Sequence, residues 1–157
     1  MGNFIHDKKG KFLTLKKRLI MKYFGFAKEH DDYPISKSIH DLIVDRNSIN
    51  NNKDDVLKYL QKGVMAVNLM GCCENAKDPL FGTDNYDDDS FIAYYACYTD
   101  GKWLWPQYII EYMKKYPHIK IDPDFINHVI SNKNNEIKIS EEECSKIEKK
   151  YYENFWK

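Results

Sequence analysis

Residues Phe91–Tyr116, FIAYYACYTDGKWLWPQYIIEYMKKY, decide the fold, because they hold two strands, a tight turn and the start of a helix in one short run. Phe91 to Tyr98 is aromatic and apolar. Asp100-Gly101 follows, a pair that tolerates the positive φ angles of a two-residue hairpin turn. With those two as the turn, Thr99 is expected opposite Lys102, Tyr98 opposite Trp103, Cys97 opposite Leu104 and Ala96 opposite Trp105. Both tryptophans then share a face with Ile92, Tyr94, Ala96 and Tyr98. Pro106, with its fixed φ and no N–H, suits a first helical position, and Ile109, Tyr112, Met113 and Tyr116 recur at helical spacing until Pro117.

Outward from this unit, Val64 to Cys72 reads as a strand that is apolar on both sides of its alternation, which predicts a central position paired with Phe91–Tyr98. A helix is expected before it, capped by Asn52, with Val56, Leu57 and Leu60 inward and Gly63 at its end. Downstream, Asp122-Pro123 begins a helix carrying Phe125, Ile126, Val129 and Ile130. Ser140 and Glu143 form a capping box for a last helix with the stripe Cys144, Ile147, Tyr151 and Phe155. The polar stretch Asp31 to Asn52 reads as a surface loop with a short helical turn at Ser38 to Val44. Leu15, Leu19 and Tyr23 form the stripe of a basic helix from about Leu13 to Phe24. The expected fold is α+β: one domain over 1–157, a small mainly antiparallel sheet with helices chiefly on one face, and 1–30 as a basic helical extension.

The 157 residues are 43% hydrophobic and 15% aromatic, enough for a sizeable core in one domain. Formal net charge is zero, which argues against a general nucleic-acid binder. The charges are segregated, however: residues 1–30 carry a balance of +6 and residues 31–100 one of −7. No apolar run reaches the roughly 20 residues needed to span a bilayer, and no secretory leader is visible, so the chain is expected to be cytoplasmic as synthesised. His6 stands where a myristoylation signal beginning at Gly2 wants Ser or Thr.

No catalytic constellation emerges. Cys72 and Cys73 are adjacent, and Cys97 and Cys144 stand alone in apolar patterns, so reduced and mostly buried thiols are expected. The five histidines do not pair at zinc spacing. His40-Asp41 and His118 are available as bases, without an identified nucleophile. The acidic cluster Asp84, Asp87, Asp88 and Asp89 lacks the sixth-position glycine and twelfth-position carboxylate of a calcium loop. No metal or cofactor is implied.

One resemblance covers roughly Phe91 to Ile130. The order Thr99-Asp100-Gly101, Trp103-x-Trp105-Pro106, a tyrosine-rich helix and Asp122-Pro123-Asp124-Phe125-Ile126-x-His128 resembles small bacterial proteins with a TDGxWxWPxxLxYY segment followed by LPxEFxxHM. Here Ile121-Asp122-Pro123-Asp124 replaces Leu-Pro-x-Glu and Val129 replaces Met. Members of that group are associated with polymorphic toxin systems as immunity proteins, which implies a cytoplasmic protein that binds and neutralises a cognate toxin. No catalytic residue transfers from the group. The expected partner-binding face is the acidic loop, with Asp84, Tyr86, Asp87, Asp88 and Asp89 and with Glu74 and Asp78 beside it, because carboxylates suit cationic toxin sites. The alternatives are an enzyme acting on a small molecule and a regulatory or structural module.

Overall fold

The computed structural model describes residues 4–6, 12–14, 20–43, 52–75, 91–116 and 119–156. In chain order these form β1 (Phe4–His6), β2 (Phe12–Thr14), β3 (Lys22–Tyr23), α1 (Ile39–Ile43), α2 (Lys53–Leu60), β4 (Val64–Asn75), β5 (Phe91–Thr99), β6 (Trp103–Pro106), α3 (Gln107–Lys115), α4 (Pro123–Asn132) and α5 (Glu141–Phe155). β1 and β2 pair antiparallel, and a second sheet has the order β3-β6-β5-β4. The fold is α+β with a small sheet, as the hydrophobic patterning predicts. α2, α3 and α4 bury Val56, Tyr59, Leu60, Tyr112, Phe125 and Val129 around Trp103 and Trp105, while α5 buries Ile147 and Tyr151 with Ala66, Val67, Cys97 and Leu104. Alternation along β6 divides its side chains between these two cores.

The central hairpin forms, with a register two residues from the expected one. Thr99 pairs with Leu104, Tyr98 with Trp105 and Cys97 with Pro106. The cause is side-chain chemistry at the turn. Asp100 Oδ1 accepts from the backbone N–H groups of Lys102 and Trp103 at 2.9 and 2.8 Å. Thr99 Oγ1 accepts from Gly101 N–H and donates to the Trp103 carbonyl. These bonds replace the last ladder rungs of a two-residue turn, so four residues, with Gly101 at φ +95°, make the reversal. Because the shift is even, both tryptophans keep their face. Trp103 is buried at 5% exposure and Trp105 at 0%, and Pro106 ends β6, one residue before the helix.

Trp105 also explains Gly63, where a Cβ would collide with the indole Cζ2. Both downstream helices start where their caps predict: Asp122 Oδ1 accepts from Asp124 N–H and Ser140 Oγ from Glu143 N–H.

Three expectations are corrected. Among the described residues β4 is an edge strand, since it pairs there with β5 alone and ends the sheet. Its apolar run does not mean burial on two faces: Ala66 and Val67 enter the core while Met65 and Met70 are exposed. The basic helix expected over Leu13–Phe24 does not extend to either of its described ends, for Leu13 lies in β2 and Lys22–Tyr23 is a strand parallel to β6, while Leu15 and Leu19 of its stripe lie outside the described residues. Lys22 N–H donates to the Lys102 carbonyl and Phe24 N–H to that of Leu104. Tyr23 packs on the α5 side and Phe24 stacks on Phe125 with ring centroids 4.4 Å apart, a two-sided alternation that no helix stripe reproduces. Within residues 20–30, Phe24, Phe26 and Ala27 are therefore built into the core, and none of these residues is helical. Finally, the Asp31–Asn52 stretch does more than cross the surface, because Asp31, Ile39 and Leu42 are buried.

Candidate functional site

Asp100 organises the first of three candidate regions. Its side chain is 3% exposed, and Oδ2 receives Tyr59 Oη from α2 at 2.6 Å and faces His128 Nε2 from α4 at 2.5 Å. Burial by itself would raise this carboxyl; hydrogen bonds from Tyr59, Trp103 N–H, His128 and Lys102 N–H outweigh it and hold the group below its ordinary value. Burial and then the Asp100 charge push the Tyr59 hydroxyl far up, so it stays a donor. His128 is held between Trp103 and Phe125, the latter ring at 22° to its plane. Its Nδ1 lies 3.5 Å from the Asn132 amide, and 14% of its side chain reaches solvent. A carboxylate-oriented imidazole can relay a proton, but it equally ties the turn, α2 and α4 together.

The second region surrounds Asp31, which sequence reasoning missed. Oδ1 accepts from Tyr95 Oη at 2.8 Å and Oδ2 from Tyr108 Oη at 3.0 Å. Tyr33 Oη lies 2.6 Å from Tyr151 Oη and 3.0 Å from Tyr95 Oη, Tyr95 and Tyr151 share a short hydroxyl contact, and Trp156 Nε1 donates to Tyr33 Oη. Ala27 N–H donates to Tyr108 Oη. Burial, followed by the Asp31 charge, pushes the Tyr95 and Tyr108 hydroxyls well above their ordinary value. The tyrosines therefore serve as neutral hydrogen-bonding groups that make a buried carboxylate tolerable.

The third region is the part of β4 and β5 distant from the Asp100 turn. Met70, Phe91 and Tyr94 are 88%, 39% and 61% exposed, and Phe91 packs edge-on to Tyr94 with ring centroids 5.2 Å apart. The predicted partner-binding residues Asp84, Tyr86, Asp87, Asp88 and Asp89 lie outside the described residues, between the end of β4 and the start of β5 in the chain.

Among the described cysteines, Cys97 is buried, Cys144 is half-buried and Cys72 is exposed, and each is a free thiol. The exposure of Cys72 overturns its expected burial; the cause is the edge position of β4. Burial, then the charges of Glu143 and Glu141, push the Cys144 thiol up. His40 and Asp41 sit exposed on α1, and His118 lies outside the described residues. No group of three or more metal-binding side chains occurs among the described residues, and no described helix is long and apolar enough to cross a membrane. No family model, curated protein or solved structure matches the chain.

Proposed function

We propose that this chain is a protein-binding module that neutralises a cognate toxin, docking through the outer part of β4 and β5 and the acidic segment between them. One observation carries the reading: Met70, Phe91 and Tyr94, three large apolar side chains, are exposed on the ends of β4 and β5 between which the densest carboxylates of the chain lie in sequence. Methionine and aromatic side chains supply adaptable contact area, and Asp89 is two residues from Phe91, within about 7 Å along the chain. Exposed apolar side chains next in sequence to a carboxylate-rich segment fit a protein whose working surface is cationic, as in toxins that act on nucleic acid. The resemblance of the Phe91–Ile130 segment to immunity proteins agrees with that partner class.

The test is a photo-crosslinking residue placed at Tyr94 and, as a control, at Ile130, followed by expression of the captured protein in a host lacking this chain. The captured protein should arrest growth, co-expression of this chain should restore it, and a variant with Met70→Asp and Tyr94→Asp should not. Capture of a harmless protein, or equal capture from both positions, overturns the reading. A second reading, a small-molecule enzyme, is favoured by His128, whose Nε2 is oriented by Asp100 while Nδ1 meets only a long amide contact. His128→Gln separates the two: protection persists under the binding reading and is lost under the enzymatic one.

A further inference from the structure

A chain of hydroxyls runs from the buried carboxylate of Asp31 to the C-terminal end of α5, and its polarity is set at both ends. An ionised carboxylate only accepts, so Tyr95 Oη donates to Asp31 Oδ1 at 2.8 Å and its oxygen is left to accept. An indole N–H only donates, and Trp156 Nε1 gives its proton to Tyr33 Oη at 3.1 Å. Each tyrosine has one proton, and the closest contacts set the order between these ends: Tyr33 Oη donates to Tyr151 Oη at 2.6 Å, and Tyr151 Oη to Tyr95 Oη. Tyr33 and Tyr95 are the loosest pair of hydroxyls, at 3.0 Å, and need no proton between them. The chain thus starts in a residue 5% exposed, before α1, and ends in one 50% exposed, after α5.

We propose that these groups form an acid-operated latch: the Asp31 charge aligns the four donors and holds the end of α5 on β5, and protonation of Asp31 releases it. Every close contact in the chain already holds one proton. An added proton on Oδ1 meets the Tyr95 O–H, and one on Oδ2 meets the O–H of Tyr108, which donates there at 3.0 Å. Protonation therefore opens a contact, and it also removes the charge that strengthens the first bond of the chain and polarises the rest. Tyr95 stands alone opposite Leu69, Met70, Gly71 and Cys72, since Asn68 pairs with Ala96 and Cys73 with Tyr94. Release of Tyr151 frees the β5 residue behind the stretch that displays Met70. That link to docking rests on the proposed function, whereas the latch does not.

Among the described residues, the other titratable groups around the chain are Cys97 on β5, Tyr108 on α3 and Tyr152 on α5. His30 lies beside Asp31 in the sequence, with its ring stacked on Tyr108 and Nε2 at 2.7 Å from Tyr112 Oη. Tyrosine and cysteine titrate above neutral pH, which leaves histidine as the one residue type besides aspartate to be separated in acid.

The experiment follows hydrogen exchange of the folded chain by mass spectrometry as pH is lowered from neutral, with rates corrected for the chemical exchange of the free amide. Peptides from the last turn of α5 are compared with peptides from α4. The α5 end should lose about tenfold in protection before α4 loses any. Asp31→Asn and Tyr151→Phe should each show that loss already at neutral pH and respond no further to acid, and His30→Gln should behave as the parent. The proposal is overturned if the α5 end and α4 open together, if Tyr151→Phe keeps the parent's protection or its acid response, or if His30→Gln abolishes that response. Should Asp31→Asn fail to fold, Tyr151→Phe, which removes one hydroxyl and leaves the carboxylate in place, decides by itself. If the α5 end opens in Tyr151→Phe but crosslinking from Tyr94 is unchanged, the latch stands and its link to docking falls.

Discussion

The two ends of the β4 and β5 pair were made from similar residues and put to different use. At the inner end, Ala66, Val67, Ala96 and Cys97 are buried, and the adjoining turn satisfies Asp100 with two backbone N–H groups, a tyrosine and a histidine. At the outer end the pairing is interrupted, and Met70, Cys72, Phe91 and Tyr94 face solvent. Hydrophobicity alone does not separate the ends; what covers them does. The inner end has helices on both faces, whereas at the outer end Ile92 and Ala93 are buried but Met70, Phe91 and Tyr94 are left exposed. Stability should therefore be concentrated at one end and binding at the other.

The largest break in that contrast should come from the aromatic layer under the inner end. Phe125, fully buried and in contact with the rings of Phe24, Tyr59, Trp103 and Trp105, should cost about 3–5 kcal/mol as Phe125→Ala. Trp105→Ala should cost a similar amount, and Trp103→Ala should too, since both indoles are buried. Urea denaturation measures each loss; a small loss at Trp103 would place that ring at the surface.

A smaller effect should follow from Asp100. Asp100→Asn weakens charge-assisted bonds each worth about 1.5–3 kcal/mol. It should also change the pH dependence. Because the folded carboxyl lies below its ordinary value, its contribution is present above the unfolded pKa of about 3.9 and is lost as pH falls through the lower folded value. Stability followed from pH 6 down to pH 2 should thus fall less steeply in Asp100→Asn than in the parent. Parallel curves would show that the carboxyl is not held by these bonds.

Smaller still is the comparison along β4 itself. Val67→Ala at the inner end removes a fully buried side chain and should cost about 1–3 kcal/mol, whereas Met70→Ala at the outer end should stay within about 0.5 kcal/mol. Equal losses would mean that the exposed end is packed against something in solution.

How much of this was legible in the sequence follows from the range of the interactions. The caps at Asp122 and Ser140, the hairpin and the shared face of Trp103 and Trp105 are signalled within a few residues, and each formed. The hairpin register was missed because Thr99 and Asp100 spend their side chains on the turn backbone, a choice that Asp-Gly does not reveal. β3 was missed because a two-residue strand carries no period, and its reason to exist is the exposed backbone of β6, some eighty residues later. Asp31 was hidden in a polar stretch, its ligands Tyr95 and Tyr108 being 64 and 77 residues away. Of the candidate docking face, composition signalled the carboxylates of the acidic segment, whereas Met70 and Tyr94 read as core until β4 proved to be an edge.

The last prediction carries the smallest cost in stability and bears most directly on function. Replacing Asp84, Asp87, Asp88 and Asp89 with asparagine removes four negative charges from the segment between β4 and β5 in the chain. An isosteric aspartate-to-asparagine change at a solvated position alters stability by no more than about 0.5 kcal/mol. The effect of the four replacements should fall on the encounter, because like-signed carboxylates raise the rate at which a cationic partner arrives and do so less as salt screens them over a Debye length of about 8 Å. With the growth-arresting protein captured from Tyr94, the variant should associate more slowly at low salt, lose much of the parent's salt dependence and dissociate at a similar rate. Met70→Asp should do the reverse, leaving arrival nearly unchanged and hastening departure, since an apolar anchor acts after the encounter. If the four-aspartate variant associates as fast as the parent at every ionic strength, the carboxylates are not part of the docking face, and the exposed apolar side chains must account for recognition by themselves.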